Sequence, residues 1–202
     1  PDFNAENLAK LINEWNVVIT ESGMDMLGAN ILTPSQSNDG FDFIWVMRWP
    51  SMSARNAGWD WWNSSGAQDN WAESINGIMS FSIENVFPFE VTEVAQPRVE
   101  NNSGSFLNRF HFCNYNEGSD STSLKEFKNA VDSTIWSDTY WNVLLNPLFD
   151  ADPKSDFVWL DLWADQSDKD SALGKFMDSE YANMYVDSFT CNTVDFSGVV
   201  IR

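Results

Sequence analysis

The sequence is short of the residues that most often build metal and nucleotide sites. Among 202 residues there is one histidine, His111, and two cysteines, Cys113 and Cys191. That set offers no zinc-ligand spacing, and no "DxDxDG" run marks a calcium loop, so no metal site is expected. Haem would need His111 as an axial ligand, and nothing else in the chain supports it. Glycine-rich phosphate loops and serine elbows are missing as well, so no cofactor is expected. Cations are scarce too: 11 lysines and arginines face 30 acidic residues, a net charge of −19. Such a chain repels phosphate backbones and anionic lipid, which argues against nucleic-acid and membrane partners. The acids are scattered along the sequence rather than run together, as a solvating surface requires. No apolar run approaches the ~20 residues that span a bilayer. No leader pattern stands at Pro1, which leans toward the cytoplasm, although a chain trimmed of its leader would look the same.

What the chain has in plenty is apolar and aromatic surface: 43% of residues are hydrophobic, 15% are aromatic, and 11 are tryptophan. That is enough for one large core or two small ones. Four of the tryptophans fall in a near-repeat, "DFIWVMRW" at 42–49 and "DFVWLDLW" at 156–163. Asp42, Phe43, Trp45 and Trp49 align with Asp156, Phe157, Trp159 and Trp163 at a shift of 156 − 42 = 114 residues. Upstream, "NILTP" resembles "NVLLNP" with one residue of slippage, and Leu8 and Leu11 resemble Leu124 and Phe127. Internal similarity of this kind is read as a duplicated structural unit.

Each half gives a similar order of elements. In the first, Leu8, Leu11, Ile12, Trp15 and Ile19 have helical spacing behind an Asn4 cap. Strands at "ANILTPSQ" and "FDFIWVMRW" follow, then a helical region over 52–78 broken at "NSSG", then a closing strand over 81–94. The second half opens on the alternating strand "FLNRFHFCNY". A helix over 122–138 follows, with apolar Leu124, Phe127, Val131 and Ile135. Then come strands at "WNVLLNPLF" and "DFVWLDLW", a helix over 168–187 and a final strand "FTCNTVDFSGVVI". This is the β-α-β-β-α-β, ferredoxin-like order. The first half starts at its helix, so its opening strand either precedes Pro1 or is missing. The expected division is a first repeat at 1–95, a polar linker at 96–105 and a second repeat at 106–202.

In element order and repeat pattern the chain resembles the tandem form of the dimeric α+β barrel superfamily, which includes antibiotic-biosynthesis monooxygenase-like, EthD-like and NIPSNAP-like domains. The resemblance implies an α+β fold in which two ferredoxin-like units pack sheet to sheet as a pseudo-dimeric barrel around a cavity. It implies a monooxygenase-like activity without a cofactor. Independently of any family, a sheet with helices on one face and an apolar opposite face must have that second face covered.

The strand alternation nominates the site. Phe157, Trp159, Asp161 and Trp163 share a face, as do Phe43, Trp45, Met47 and Trp49, and aliphatic residues occupy the reverse side of each strand. The aromatic faces are expected to line the inter-sheet space. Asp161 is the odd carboxylate among them. Arg109, His111, Cys113 and Tyr115 form a polar row opposite Phe110 and Phe112. If those phenylalanines pack on the helices, the polar row enters the cavity. Asp161 and His111 then become the candidate acid–base pair, and Arg109 would pair with Asp161 or hold an anion. Arg109, Tyr115, Trp45, Trp49, Trp159 and Trp163 become candidate ligand contacts. The plainer reading makes Asp161 a solvated or paired group at a barrel mouth and His111 a structural hydrogen-bonding residue. A second aromatic cluster, Trp59, Trp61, Trp62 and Trp71, suits core packing at Trp59 and Trp62. Cys113 and Cys191 fall in strands that the ferredoxin-like order makes neighbours. A bridge between them would indicate a secreted or periplasmic protein, and two reduced, buried thiols are the other possibility.

Three functions remain open on these grounds. One is an enzyme acting on a hydrophobic aromatic molecule in the inter-sheet cavity. Another is a non-catalytic binder of such a molecule. The last is a structural or assembly protein, a homo-oligomer included, whose interior is filled by its own tryptophans.

Overall fold

The structure, a computed structural model, describes residues 4–37 and 39–202. In chain order the elements are α1 (Ala5–Ser22), β1 (Gly28–Pro34), β2 (Ile44–Arg48), α2 (Met52–Ser64), α3 (Ala67–Ser74), β3 (Phe89–Ala95), β4 (Ser105–Tyr115), α4 (Ser121–Asp132), β5 (Trp141–Pro147), β6 (Phe157–Trp163), α5 (Gln166–Met177), α6 (Glu180–Ser188) and β7 (Phe189–Val200). The class is α+β.

The helix starts follow local chemistry. Side chains of Asn4, Ser51, Asp120 and Asp165 accept from backbone N–H groups at the starts of α1, α2, α4 and α5, which satisfies donors that a helix leaves unpaired. The expected break at "NSSG" falls at Gly66, whose φ of 82° is open to glycine at little cost. Three elements are shorter than the sequence pattern suggests. α4 stops at Asp132, because Ser133 and Thr134 turn their hydroxyls back onto the Ala130 carbonyl. Ile135, expected on the apolar helix face, is therefore exposed, and Trp136 is buried in its place. The helix expected over 168–187 is two helices, parted where the Ser179 hydroxyl donates to the Phe176 carbonyl. The strand expected over 81–94 begins only at Phe89, after a 3₁₀ turn at Ile83–Asn85.

The chain forms two compact units, and their composition differs from the expected halves. One takes the described chain up to Leu32, the segment ending at Val86 and the terminal Val199–Arg202; the other takes Thr33–Ser37 and Phe87–Gly198. Thus β3, expected to close the first half, is paired antiparallel with β5, from Phe89 opposite Pro147 to Ala95 opposite Asn142. Conversely, the end of the chain joins the first unit, where Ile201 donates to the Ala29 carbonyl and Ala29 donates to that of Arg202. A strand is stabilised by whichever backbone ladder it completes, and sequence proximity does not decide that.

In the second unit the strands lie in the order β7-β4-β6-β5-β3. The first four realise the β-α-β-β-α-β topology expected for residues 106–202. Their helix-covered face is an interlock of rings. Phe127 of α4 lies 5.2 Å from Trp159 and 5.7 Å from Phe189, and Trp136 lies 5.7 Å from Phe176 of α5. The opposite face carries Val143, Leu145, Val158 and Leu160 with Phe110 and Phe112.

That arrangement reverses the expected orientation. Phe157, Trp159, Asp161 and Trp163, with the polar row Arg109, His111, Cys113 and Tyr115, face the helices. Phe110 and Phe112 face away from them. The reason is volume: α4, α5 and α6 contribute Phe127, Phe176, Tyr181 and Tyr185, and the gap they leave over the sheet is filled by large rings packed edge to face.

The first unit behaves likewise. β1 and β2 pair antiparallel. Trp45 packs under α1 and α3, 5.2 Å from Trp15 and 5.9 Å from Trp71, with Trp62 completing the cluster at 6.3 Å from Trp71. Trp59 and Trp61 pack partly buried against the same core. The two near-repeat strands each pair antiparallel with the strand before them, but β2 lies at a sheet edge and β6 lies between β4 and β5. Trp45 stands opposite Ile31 and Met47 opposite Ala29 in one pair; Trp159 stands opposite Leu144 and Asp161 opposite Asn142 in the other.

Candidate functional site

The strand register puts the two candidate acid–base residues together. His111 pairs across the ladder with Trp159, and Arg109 with Asp161, so His111 and Asp161 are diagonal neighbours on the helix-covered face. His111 Nε2 lies 3.0 Å from Asp161 Oδ2, and His111 Nδ1 lies 3.0 Å from the Tyr185 hydroxyl on α6. The other carboxylate oxygen, Oδ1, accepts three bonds: from Tyr140 Oη at 2.6 Å, Asn142 Nδ2 at 2.6 Å and Trp159 Nε1 at 3.0 Å. Four donors around one buried carboxylate is near the limit of what a carboxylate accepts.

The electrostatics follow from that shell. Burial alone pushes the Asp161 carboxyl up. The bonds from His111, Tyr140 and Asn142 outweigh it and hold the group below the ordinary aspartate value. Ionised Asp161 can only accept, so Nε2 of His111 carries a hydrogen and Nδ1 faces the Tyr185 hydroxyl. Burial and the Asp161 charge push the Tyr185 phenol up to about 12, and the same causes raise Tyr140 well above its ordinary value. Neither phenol is poised to ionise near neutrality.

Arg109 does not pair with Asp161. Its guanidinium takes Asp195 of β7 in a two-pronged bond, 2.8 Å on each side. Lys169 of α5 reaches the same carboxylate at 2.9 Å and passes 5.4 Å from the centre of the Trp163 ring. The bond from Arg109, helped by Lys169, holds the Asp195 carboxyl near 2.

The remaining candidates divide. Trp159 and Trp163 are 3% and 2% exposed and offer no face to a ligand. Trp45 is committed to its tryptophan cluster, and the Trp49 ring lies over Gly58 of α2, where an added Cβ would meet it at 2.5 Å. Tyr115 lines a depression of about 310 Å³ between α4 and the β5–β3 edge. A second depression, about 300 Å³, is lined by Trp136, Ser137, Tyr140 and Arg98 among others. Cys113 and Cys191 form a disulfide between β4 and β7. Among the described residues no cluster of histidines, cysteines and acids is arranged to hold a metal.

Sequence reasoning missed Tyr140, Asn142 and Tyr185. Asn142 left a signal, being a polar residue set before the apolar run Val143, Leu144 and Leu145, at the position that pairs with Asp161. The tyrosines left none, because one precedes its strand and the other arrives from a helix.

Comparison with known proteins bears on the fold. The crystal structure described as a "putative monooxygenase from Lactobacillus acidophilus NCFM" aligns with 98% of this chain and 89% of its own at a TM-score of 0.52 and 10% sequence identity. The fold is monooxygenase-like α+β. Neither a family model nor a curated protein matches the sequence. At that identity the monooxygenase-like label describes architecture and carries no residue roles.

Proposed function

We propose that this monooxygenase-like chain is a small-molecule-binding protein and that binding, not turnover, is its function. One observation carries the reading: the Asp161 carboxylate has its acceptor sites filled by protein donors, and His111 has both ring nitrogens engaged. An acid–base pair must lend a lone pair or a proton to a substrate, and this one is spent on holding β4, β5, β6 and α6 together. Uncommitted polar groups lie instead in the two depressions. Ser137 Oγ, for instance, is buried with no hydrogen-bond partner among the described residues, beside Trp136 and Tyr140. The ligand is a small, largely hydrophobic molecule. The matching registers of β1–β2 and β5–β6 support a duplicated, pseudo-dimeric origin for the chain, and the disulfide supports a secreted or periplasmic location.

A second reading keeps the chain Asp161–His111–Tyr185 as a proton relay, as the aligned monooxygenase-like structure invites. One experiment separates the two. Flat aromatic compounds are titrated against the intact protein in air, tryptophan emission is followed, and the compounds are then recovered for mass spectrometry. Saturable quenching with unchanged compounds is expected, because Trp136, although buried, borders the second depression. Conversion that disappears in His111→Gln would establish the relay instead, and no quenching across the panel would remove binding altogether.

A further inference from the structure

The depression between α4 and the β5–β3 edge has a lining that the rest of the molecule does not explain. One face of α4 opens onto it through Ser121, Leu124, Lys125 and Lys128, spaced i, i+3, i+4 and i+7. The core of the unit takes a different face of the helix, Phe127, Ala130 and Val131. The apolar part of the lining is Leu124, Leu144 and Phe157 with the Tyr115 ring, 5.5 Å from Phe157.

The polar part is unspent. Lys125 and Lys128 make no ion pair or hydrogen bond among the described residues, and the Tyr115 hydroxyl and the Thr92 and Asn146 side chains make no hydrogen bond there either. The single acid in the lining, Asp156, is engaged by the Tyr115 backbone N–H at 2.8 Å. Lys125 and Lys128 stand together, three residues apart on one helix, over one apolar floor. At about 310 Å³ the space lies at the small end of ligand pockets, which run from roughly 300 to 1,000 Å³.

We propose that this depression binds a small carboxylate with a flat apolar body, its charge held by Lys125 and Lys128 and its body laid on Leu124, Leu144, Phe157 and Tyr115. The proposal rests on the binding reading above and names its ligand class.

The test uses the full chain with cinnamate as probe and cinnamyl alcohol as its neutral counterpart, followed by calorimetry and by the methyl resonances of Leu124 and Leu144. Cinnamate is expected to bind, to move both methyl groups and to weaken as salt is added. The double variant Lys125→Gln/Lys128→Gln is expected to lose at least about tenfold in affinity, since two charge-assisted contacts go. Thermal melts check that this variant folds, and Lys10→Gln, on α1 of the other unit, is expected to bind as the parent does. Equal binding of acid and alcohol, indifferent to the lysines, would overturn the carboxylate class while leaving binding intact. Methyl shifts confined to other leucines would overturn the location, and failure of both probes to bind would overturn this site, while the binding reading falls only if the aromatic panel also leaves tryptophan emission unchanged.

Discussion

At the scale of the residue, Asp161 does more than any other side chain in the second unit. It receives four hydrogen bonds from three strands, β4, β6 and β5 with the residue before it, inside a ring-packed core where an unpaired donor is costly. Asp161→Asn leaves one acceptor oxygen and turns an amide toward the donors. It is expected to cost about 3–5 kcal/mol in urea unfolding, as breaking a buried charged pair does. The pH dependence has two limbs. Asp161 and Asp195 both lie below the roughly 3.9 of a free aspartate, so the stability they contribute is whole above that value and is lost as pH falls, for Asp195 through about 2. Tyr185 lies above the roughly 10 of a free tyrosine, so its contribution is whole below pH 10 and is lost as pH rises toward about 12. Unfolding midpoints across the pH range should therefore fall at both ends, with Asp195→Asn flattening the acid limb and Tyr185→Phe the alkaline one. Alternation placed Asp161 and His111 each on a face expected to line the cavity; their contact on the helix-covered face comes from the β4–β6 register. Which face the helices cover was not legible in the sequence, because both faces are apolar and parity is blind to what lies above the sheet.

At the scale of the element, the bridge between β4 and β7 closes a separation of 78 residues. Its two sulfurs lie in the same ring-packed layer as Asp161. Replacing both cysteines by alanine should cost about 2–5 kcal/mol, read as a lower denaturant midpoint, and reduction of the parent should match it. The start of α1 was legible from its capping residue, Asn4. Helix ends were less so. Ser133 and Thr134 stop α4 by bonding back to Ala130, a competition between side chain and backbone that apolar periodicity does not register. The lysines lining the first depression escaped notice for a related reason: a helix has flanks as well as a core face, and Lys125 and Lys128 sit on a flank.

At the scale of the whole molecule, a net charge of −19 on 202 residues makes self-repulsion a standing cost of the folded state. Added sodium chloride should raise the melting temperature of the parent while weakening any carboxylate bound over Lys125 and Lys128, two opposite salt responses from one preparation. The order of elements along each half was legible; that one tryptophan strand lies at a sheet edge and the other inside the sheet was not. The allotment of β3 and of the last four residues was not either, since the hydrogen-bond partner of an edge strand is chosen in space.

That allotment bears on autonomy. A fragment ending near residue 100 would carry β3 without β5, and one beginning there would end on residues that had lost β1. Each piece, expressed by itself, would expose an unsatisfied backbone edge and self-associate; coexpressed, the pieces should copurify, each supplying the strand the other lacks.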